Sequence, residues 1–301
     1  MQYAYVTFLM RGDGYLPGAL VLGYVLRQQS SIDRICLVTD DVSNAAITAL
    51  KTLYTNVIQI DKLQFKKTVK TGRRDRNLLP TRFKALCLSE YDKIILLDAD
   101  VLPLADYDSL FELNTPAGII MEEKTSSYSL GEKDGENHKW SWHDLYEPIC
   151  PHGTPIPKNL TDKVRLNTAN MGVNSGLWVL HPSMDEYENL IAAMKEKEIV
   201  SLVKNFPWPE MQLATLIWSG RWTNIDIRYC SIGGFPKINV LNGIHYAGLK
   251  PWQKNHRSIH HYARFPDFQL WYGFFKTMYH CHPEFQKIPG LKKLYEWCYH
   301  K

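Results

Sequence analysis

Paired cysteines, a long apolar run and a regularly spaced glycine loop are all missing from this sequence. Its six cysteines, Cys36, Cys87, Cys150, Cys230, Cys281 and Cys298, are scattered and form no Cys-x-x-Cys pair. That spread argues against a zinc site or a disulfide scaffold. Cys36 and Cys87 lie inside apolar runs and read as small core residues. No stretch approaches the roughly 20 apolar residues of a transmembrane helix. The opening residues, Met1-Gln2-Tyr3-Ala4-Tyr5-Val6, lack the basic start and apolar core of a secretory signal. A cytoplasmic location, or the interior of whatever compartment makes the protein, is the default expectation. Gly12, Gly14 and Gly18 do not follow the Gly-x-Gly-x-x-Gly spacing of dinucleotide folds, so a nicotinamide cofactor has little support. No internal repeat is visible.

Neither sign of charge dominates, and the formal net charge is +4. The densest basic cluster, Lys66 to Arg76, has no interleaved aromatics and matches no nucleic-acid module. No nucleic-acid partner is expected. A solvated loop, or one facing a phosphorylated small molecule, remains.

What is present is a strand and helix alternation, which indicates an α/β class with a mostly parallel, helix-covered sheet. Strands are expected at Tyr3–Leu9, Arg34–Thr39, Asn56–Ile60, around Ile94–Leu97, at Gly118–Met121, Val173–Leu180 and Trp222–Ile227, and ending near Ile244. Helices are expected at Gly18–Gln29, from Ser43 to Leu53, at Leu79–Glu90, from Ser183 to Lys197 and from Trp208 onward. Residues 1–255 read as one catalytic domain. Within it, 122–170 is an irregular insertion rich in aromatics and prolines, a place for a second substrate to dock. Residues 256–301 read as an aromatic-rich helical extension.

The chemistry concentrates after Ile94-Ile95-Leu96-Leu97. Four consecutive aliphatics suit a strand buried on both faces, and the chain then meets Asp98 and Asp100. Two close carboxylates repel unless a positive charge sits between them, and a hard divalent cation at the carboxyl end of a strand would supply it. Turn capping is the competing use of Asp.

Several stretches taken together resemble the glycogenin and galactinol synthase group of retaining glycosyltransferases, family 8. They are Tyr5-Val6-Thr7-Phe8-Leu9 with Gly12-Asp13-Gly14-Tyr15, then Asp98-Ala99-Asp100, Asn174-Ser175-Gly176, and His245-x-x-Gly248-x-Lys250-Pro251-Trp252. The resemblance implies a GT-A fold and transfer of a hexosyl unit from UDP-glucose, UDP-galactose or UDP-GlcNAc to an acceptor hydroxyl. It implies Asp98, Asp100 and His245 as ligands of manganese, with magnesium as the alternative. Lys250 would neutralise the leaving phosphate and Gly248 would let the backbone approach it. Tyr15 would pack on uracil, with Thr7, Phe8 and Leu9 lining the base pocket and Arg76, or Arg74 in its place, contacting the nucleotide beside Ala99.

Lys84 matches the family's helix lysine, and Asn170, Asn174 and Ser175 fall on the sugar side. Where the family places an Asp-Gln or Glu-Gln pair near the anomeric carbon, this sequence has Glu210-Met211-Gln212. Glu210 and Gln212 are therefore the expected pair, shifted by one position. The acceptor is a glycan, a cyclitol or a protein hydroxyl. Glycogenin-like self-glucosylation, with Tyr229 as a candidate, and a non-catalytic nucleotide-sugar or glycan-binding role are the alternatives. A homodimer is compatible with all of these.

Overall fold

A computed structural model describes residues 1–65, 74–121, 149–232, 238–248, 250–252, 263 and 265–299. The first half builds a parallel unit. It runs β1 (Tyr3–Leu9), α1 (Leu16–Gln29), β2 (Asp33–Val38), α2 (Asn44–Leu50) and β3 (Asn56–Gln59). Ser43 caps α2 by accepting from Ala46 N, which satisfies one of the amides left open at a helix start. The chain then forms a 3-10 helix at Arg74–Cys87 where an α-helix over Leu79–Glu90 was expected. Pro80 lies inside it and has no amide hydrogen to donate, which weakens regular α-helical bonding there.

Next come β4 (Lys93–Leu97), β5 (Val101–Pro103), β6 (Ala117–Met121), α3 (Lys158–Leu166) and β7 (Gly172–Leu180). They are followed by α4 (Met184–Ala193), α5 (Lys197–Val203), α6 (Pro209–Ile217), β8 (Thr223–Asn224), β9 (Ser231–Ile232) and β10 (Gly243–His245). Two terminal helices, α7 (Pro266–Cys281) and α8 (Pro289–Tyr299), complete the order. The helix expected to run to Lys197 stops at Ala193, a further helix, α5, begins at Lys197, and the strand expected over Trp222–Ile227 shrinks to two residues.

The main sheet has the order β3-β2-β1-β4-β7-β6-β8. β3, β2, β1 and β4 are parallel, whereas β7 pairs with both β4 and β6 in the antiparallel sense. β4 is central, and Ile94, Ile95, Leu96 and Leu97 are all buried. Each such side chain contributes about 1.5–3 kcal/mol of transfer free energy, so the strand is a rigid base for Asp98 and Asp100 beyond its end.

The reversal at β7 positions the site. It lays the early residues of β7 beside the carboxyl end of β4, with Asp98 N donating to Gly176 O at 3.0 Å. The β6 register jumps from Gly118↔Trp178 to Ile119↔Asn174, leaving 175–177 without β6 partners. Irregular pairing of this kind commonly redirects side chains next to active sites.

A second sheet, β5-β10-β9, starts directly after Asp100. Its pairing sets His245 opposite Val101, one residue beyond Asp100. The C-terminal segment shares one buried cluster with β1, the turn after β4 and the loop after β10: Trp271, Phe275 and Phe285 join Leu9, Ala99, Tyr246 and Trp252. Among the described residues, no helix is long and apolar enough to cross a membrane.

Candidate active site

The two sheets bring Asp98, Asp100 and His245 together. One ligand atom from each lies within 4.8 Å of the others. His245 Nε2 stands 3.4 Å from Asp100 Oδ1 and 3.9 Å from Asp98 Oδ2. Two cations close the ring: Arg82 pairs with Asp98, and Lys250 pairs with Asp100. Lys250 Nζ also donates to Tyr246 O at 2.6 Å. Two hard carboxylate oxygens and an imidazole nitrogen turned toward them fit a divalent cation of intermediate softness.

Arg82 is almost wholly buried, with its guanidinium over the rings of Phe8 and Trp178 at 4.9 and 5.3 Å. It donates to Ser175 O at 2.9 Å and lies 3.8 Å from Glu210 Oε1. Glu210 follows Pro209 in the first turn of α6, accepts from Ser175 Oγ at 3.4 Å, and keeps Oε2 buried without a hydrogen-bond partner.

The electrostatics differ between the carboxylates. Burial pushes Asp98 above its ordinary range, opposed by Arg82 and assisted by Asp100. Burial would also raise Asp100, but Lys250 and His245 hold it below the usual carboxylate range. Glu210 is raised by burial, with Arg82 opposing. For His245 burial opposes charge, yet Cys230 and Asp100 beside it prevail and raise it to about 10.

The other expected residues fall into distinct places. Thr7 is buried, and its hydroxyl donates to Leu97 O at 2.8 Å, tying β1 to the end of β4. Phe8 lies under Arg82, while Leu9 is fully buried in the core and cannot line an open base pocket with its side chain. The period of two along a strand sends Phe8 and Leu9 to opposite faces. Tyr15 is half-exposed, edge-on to Trp252 at 5.6 Å and 6.0 Å from Lys250 Nζ. Ala99 is buried, and its carbonyl lies where a Cβ on Gly18 would come within 2.4 Å. Gly248 is exposed in the turn before Lys250.

Asn170 and Asn174 are buried and accept from Gly172 N and Gly176 N at 3.1 and 2.8 Å. Arg76 lies half-buried in the 3-10 helix. Residues 66–73 of the basic cluster, and 122–148 of the expected insertion, lie outside the described residues.

Three further expectations need correction. Lys84 does not face the centre; its ammonium stands 5.1 Å over the Tyr187 ring on α4. Residues two apart on a 3-10 helix point about 120° apart, so with Arg82 toward Asp98 the Lys84 side chain leaves the helix on a different face. Gln212 is spent on backbone: it donates to Thr168 O and Asn170 O at 2.8 and 2.7 Å and accepts from Trp208 N at 3.0 Å. Tyr229 is buried, stacked on His152, with its hydroxyl 3.4 Å from both Asp106 and Ser109. It offers no free acceptor. Arg82 itself was missed, because a basic residue in mid-helix reads as a solvated face when the partner carboxylates are distant in sequence.

The family model "Glycosyl transferase family 8" matches residues 6–256. An uncharacterized protein of Acanthamoeba polyphaga mimivirus is 30% identical over 84% of this chain and 83% of its own length. Glycogenin-1 of Mus musculus is 24% identical over 95% of this chain and 73% of its own. Among solved structures, the galactosyltransferase LgtC in complex with donor and acceptor sugar analogues superposes with a TM-score of 0.55. That match covers 90% of this chain and 94% of LgtC at 14% identity, a likeness of fold.

Proposed function

Because the chain belongs to glycosyltransferase family 8, and so to the hexosyltransferase enzymes, we propose that it moves a hexosyl unit from a UDP-sugar to an acceptor hydroxyl with retention at the anomeric carbon. The observation that carries this is the convergence of Asp98, Asp100 and His245 within 4.8 Å, with Lys250 on Asp100. A divalent ion held there would supply Lewis-acid charge to the departing diphosphate. Manganese is preferred over calcium because one ligand is an imidazole.

The chain's own residues divide the remaining work. Lys250 meets the negative charge that develops on the leaving phosphate. Arg82 fixes Asp98 and Glu210 together, so the metal-side and sugar-side carboxylates share one buried cation. Glu210 Oε2, buried and unpartnered, is the atom for orienting a sugar hydroxyl and stabilising positive charge at the anomeric carbon. Attack on the front face, with the leaving phosphate as base, needs no covalent intermediate. Tyr15, beside Trp252 and Lys250, is the platform for the uracil ring. The acceptor, a glycan, cyclitol or protein hydroxyl, docks beside the described end of the insertion, 149–170, where Gln212 anchors the Thr168 and Asn170 backbone.

The test is UDP release from a donor panel (UDP-glucose, UDP-galactose and UDP-GlcNAc) with manganese, magnesium or chelator. Release from at least one donor, dependent on the metal, is expected. Release that persists at the same rate in chelator contradicts the reading.

A further inference from the structure

The segment carrying Lys250 is held from behind by the C-terminal helix α7. Tyr272 Oη donates to Pro251 O at 2.9 Å, immediately after the lysine. Tyr246 Oη donates to Asp267 O at 2.6 Å, and the same Tyr246 gives its carbonyl to Lys250 Nζ. Both tyrosines are buried. Between these ties Ala247 and Gly248 are exposed. The far end of the segment is fixed as well. Trp252 packs so closely on α1 that a Cβ on Gly18 would come within 2.2 Å of its ring, and it lies 5.5 Å from Trp271.

We propose that Tyr272, seconded by Tyr246, is a positioning residue that aims Lys250 at the leaving diphosphate. The inference rests on the proposed role of Lys250 in the donor site. Two hydroxyls, one on α7 and one on its neighbour, clamp the backbone on either side of a glycine turn. The ammonium then meets the metal centre without first having to order its own loop, a cost that otherwise subtracts from binding. The aromatic C-terminal helix is thereby part of the donor site although none of its side chains pairs with the carboxylates. In this way α7 serves catalysis through Pro251 and Tyr246.

A double-mutant cycle tests this, read as UDP affinity by calorimetry at saturating manganese. The proteins are wild type, Tyr272→Phe, Lys250→Ala and the double variant. Tyr272→Phe deletes one hydroxyl without changing ring volume and is expected to weaken UDP by about fivefold, the scale of one buried hydrogen bond. In the Lys250→Ala background the same change is expected to have no further effect, because the tyrosine acts through the lysine. An equal loss in both backgrounds overturns the proposal, as does no loss in wild type when Lys250→Ala weakens UDP. If Lys250→Ala leaves UDP affinity unchanged, the donor role of Lys250 fails and the proposal falls with it. Tyr246→Phe, which cuts the tie on the other side, should show the same pattern and carries the test if Tyr272→Phe does not fold.

Discussion

A Cβ placed on Gly176 would stand 2.5 Å from Cε1 and 2.6 Å from Nδ1 of His245. Gly176 therefore leaves the space into which the third metal-side residue fits. Gly176→Ala should push the imidazole off the carboxylates. About tenfold weaker manganese binding is expected, the scale of losing a residue that orients a ligand. An overpacking cost of about 1–3 kcal/mol should accompany it. Calorimetric manganese titration and urea unfolding read the two effects separately. Unchanged manganese affinity would contradict the packing argument.

Arg82 is the only cation within ion-pairing reach of both Asp98 and Glu210 among the described residues. Arg82→Ala strands the buried Glu210 and the partly exposed Asp98 and should cost about 3 kcal/mol of stability. Arg82→Lys should recover little, since a single ammonium lacks the planar fork that serves Asp98 and Ser175 O together. Urea midpoints at constant slope are the check.

Lys84 provides the contrast. Lys84→Ala removes its position over Tyr187 and should cost about 0.5–1 kcal/mol in stability. The donor KM should stay within about twofold of wild type, because no donor contact is lost. A large rise in KM would return Lys84 to the site.

Much of this was legible in the sequence. Asp98 and Asp100 were legible as a close carboxylate pair after an apolar strand, whereas His245 and Lys250 stood out only through the family resemblance; the structure brings the four together. The parallel first half was legible because β-branched runs alternate with helices, α2 carrying its Ser43 cap. Arg82, Gly176 and Tyr272 were not, because each takes its meaning from a residue distant in sequence: Arg82 from Asp98 and Glu210, Gly176 from His245, Tyr272 from Pro251. The divergence of Arg82 and Lys84 also depends on which face of the 3-10 helix meets the sheet, and composition does not state that. The antiparallel entry of β7, which brings Asn174, Ser175 and Gly176 to Asp98, left no mark in the apolar pattern of that strand.

Glu210 gives a pH dependence. Burial raises its carboxyl against the opposing effect of Arg82, so the folded protein keeps this proton to higher pH than the unfolded chain. Stability from the group is complete below the ordinary Glu range and declines as pH rises toward the folded value. Glutamine cannot ionise. Glu210→Gln should therefore gain stability relative to wild type on going from about pH 4 to about pH 8, measured by urea unfolding. A relative loss over that interval would mean the carboxylate is stabilised in place, and the sign would be wrong.

The most direct measurement is a calorimetric manganese titration in the presence of UDP, on wild type and on Asp100→Ala. Asp100 is buried between His245 and Lys250. If Asp98, Asp100 and His245 form the metal centre, wild type binds one manganese ion per chain and Asp100→Ala loses that binding. Equal manganese affinity in the two proteins would contradict the centre.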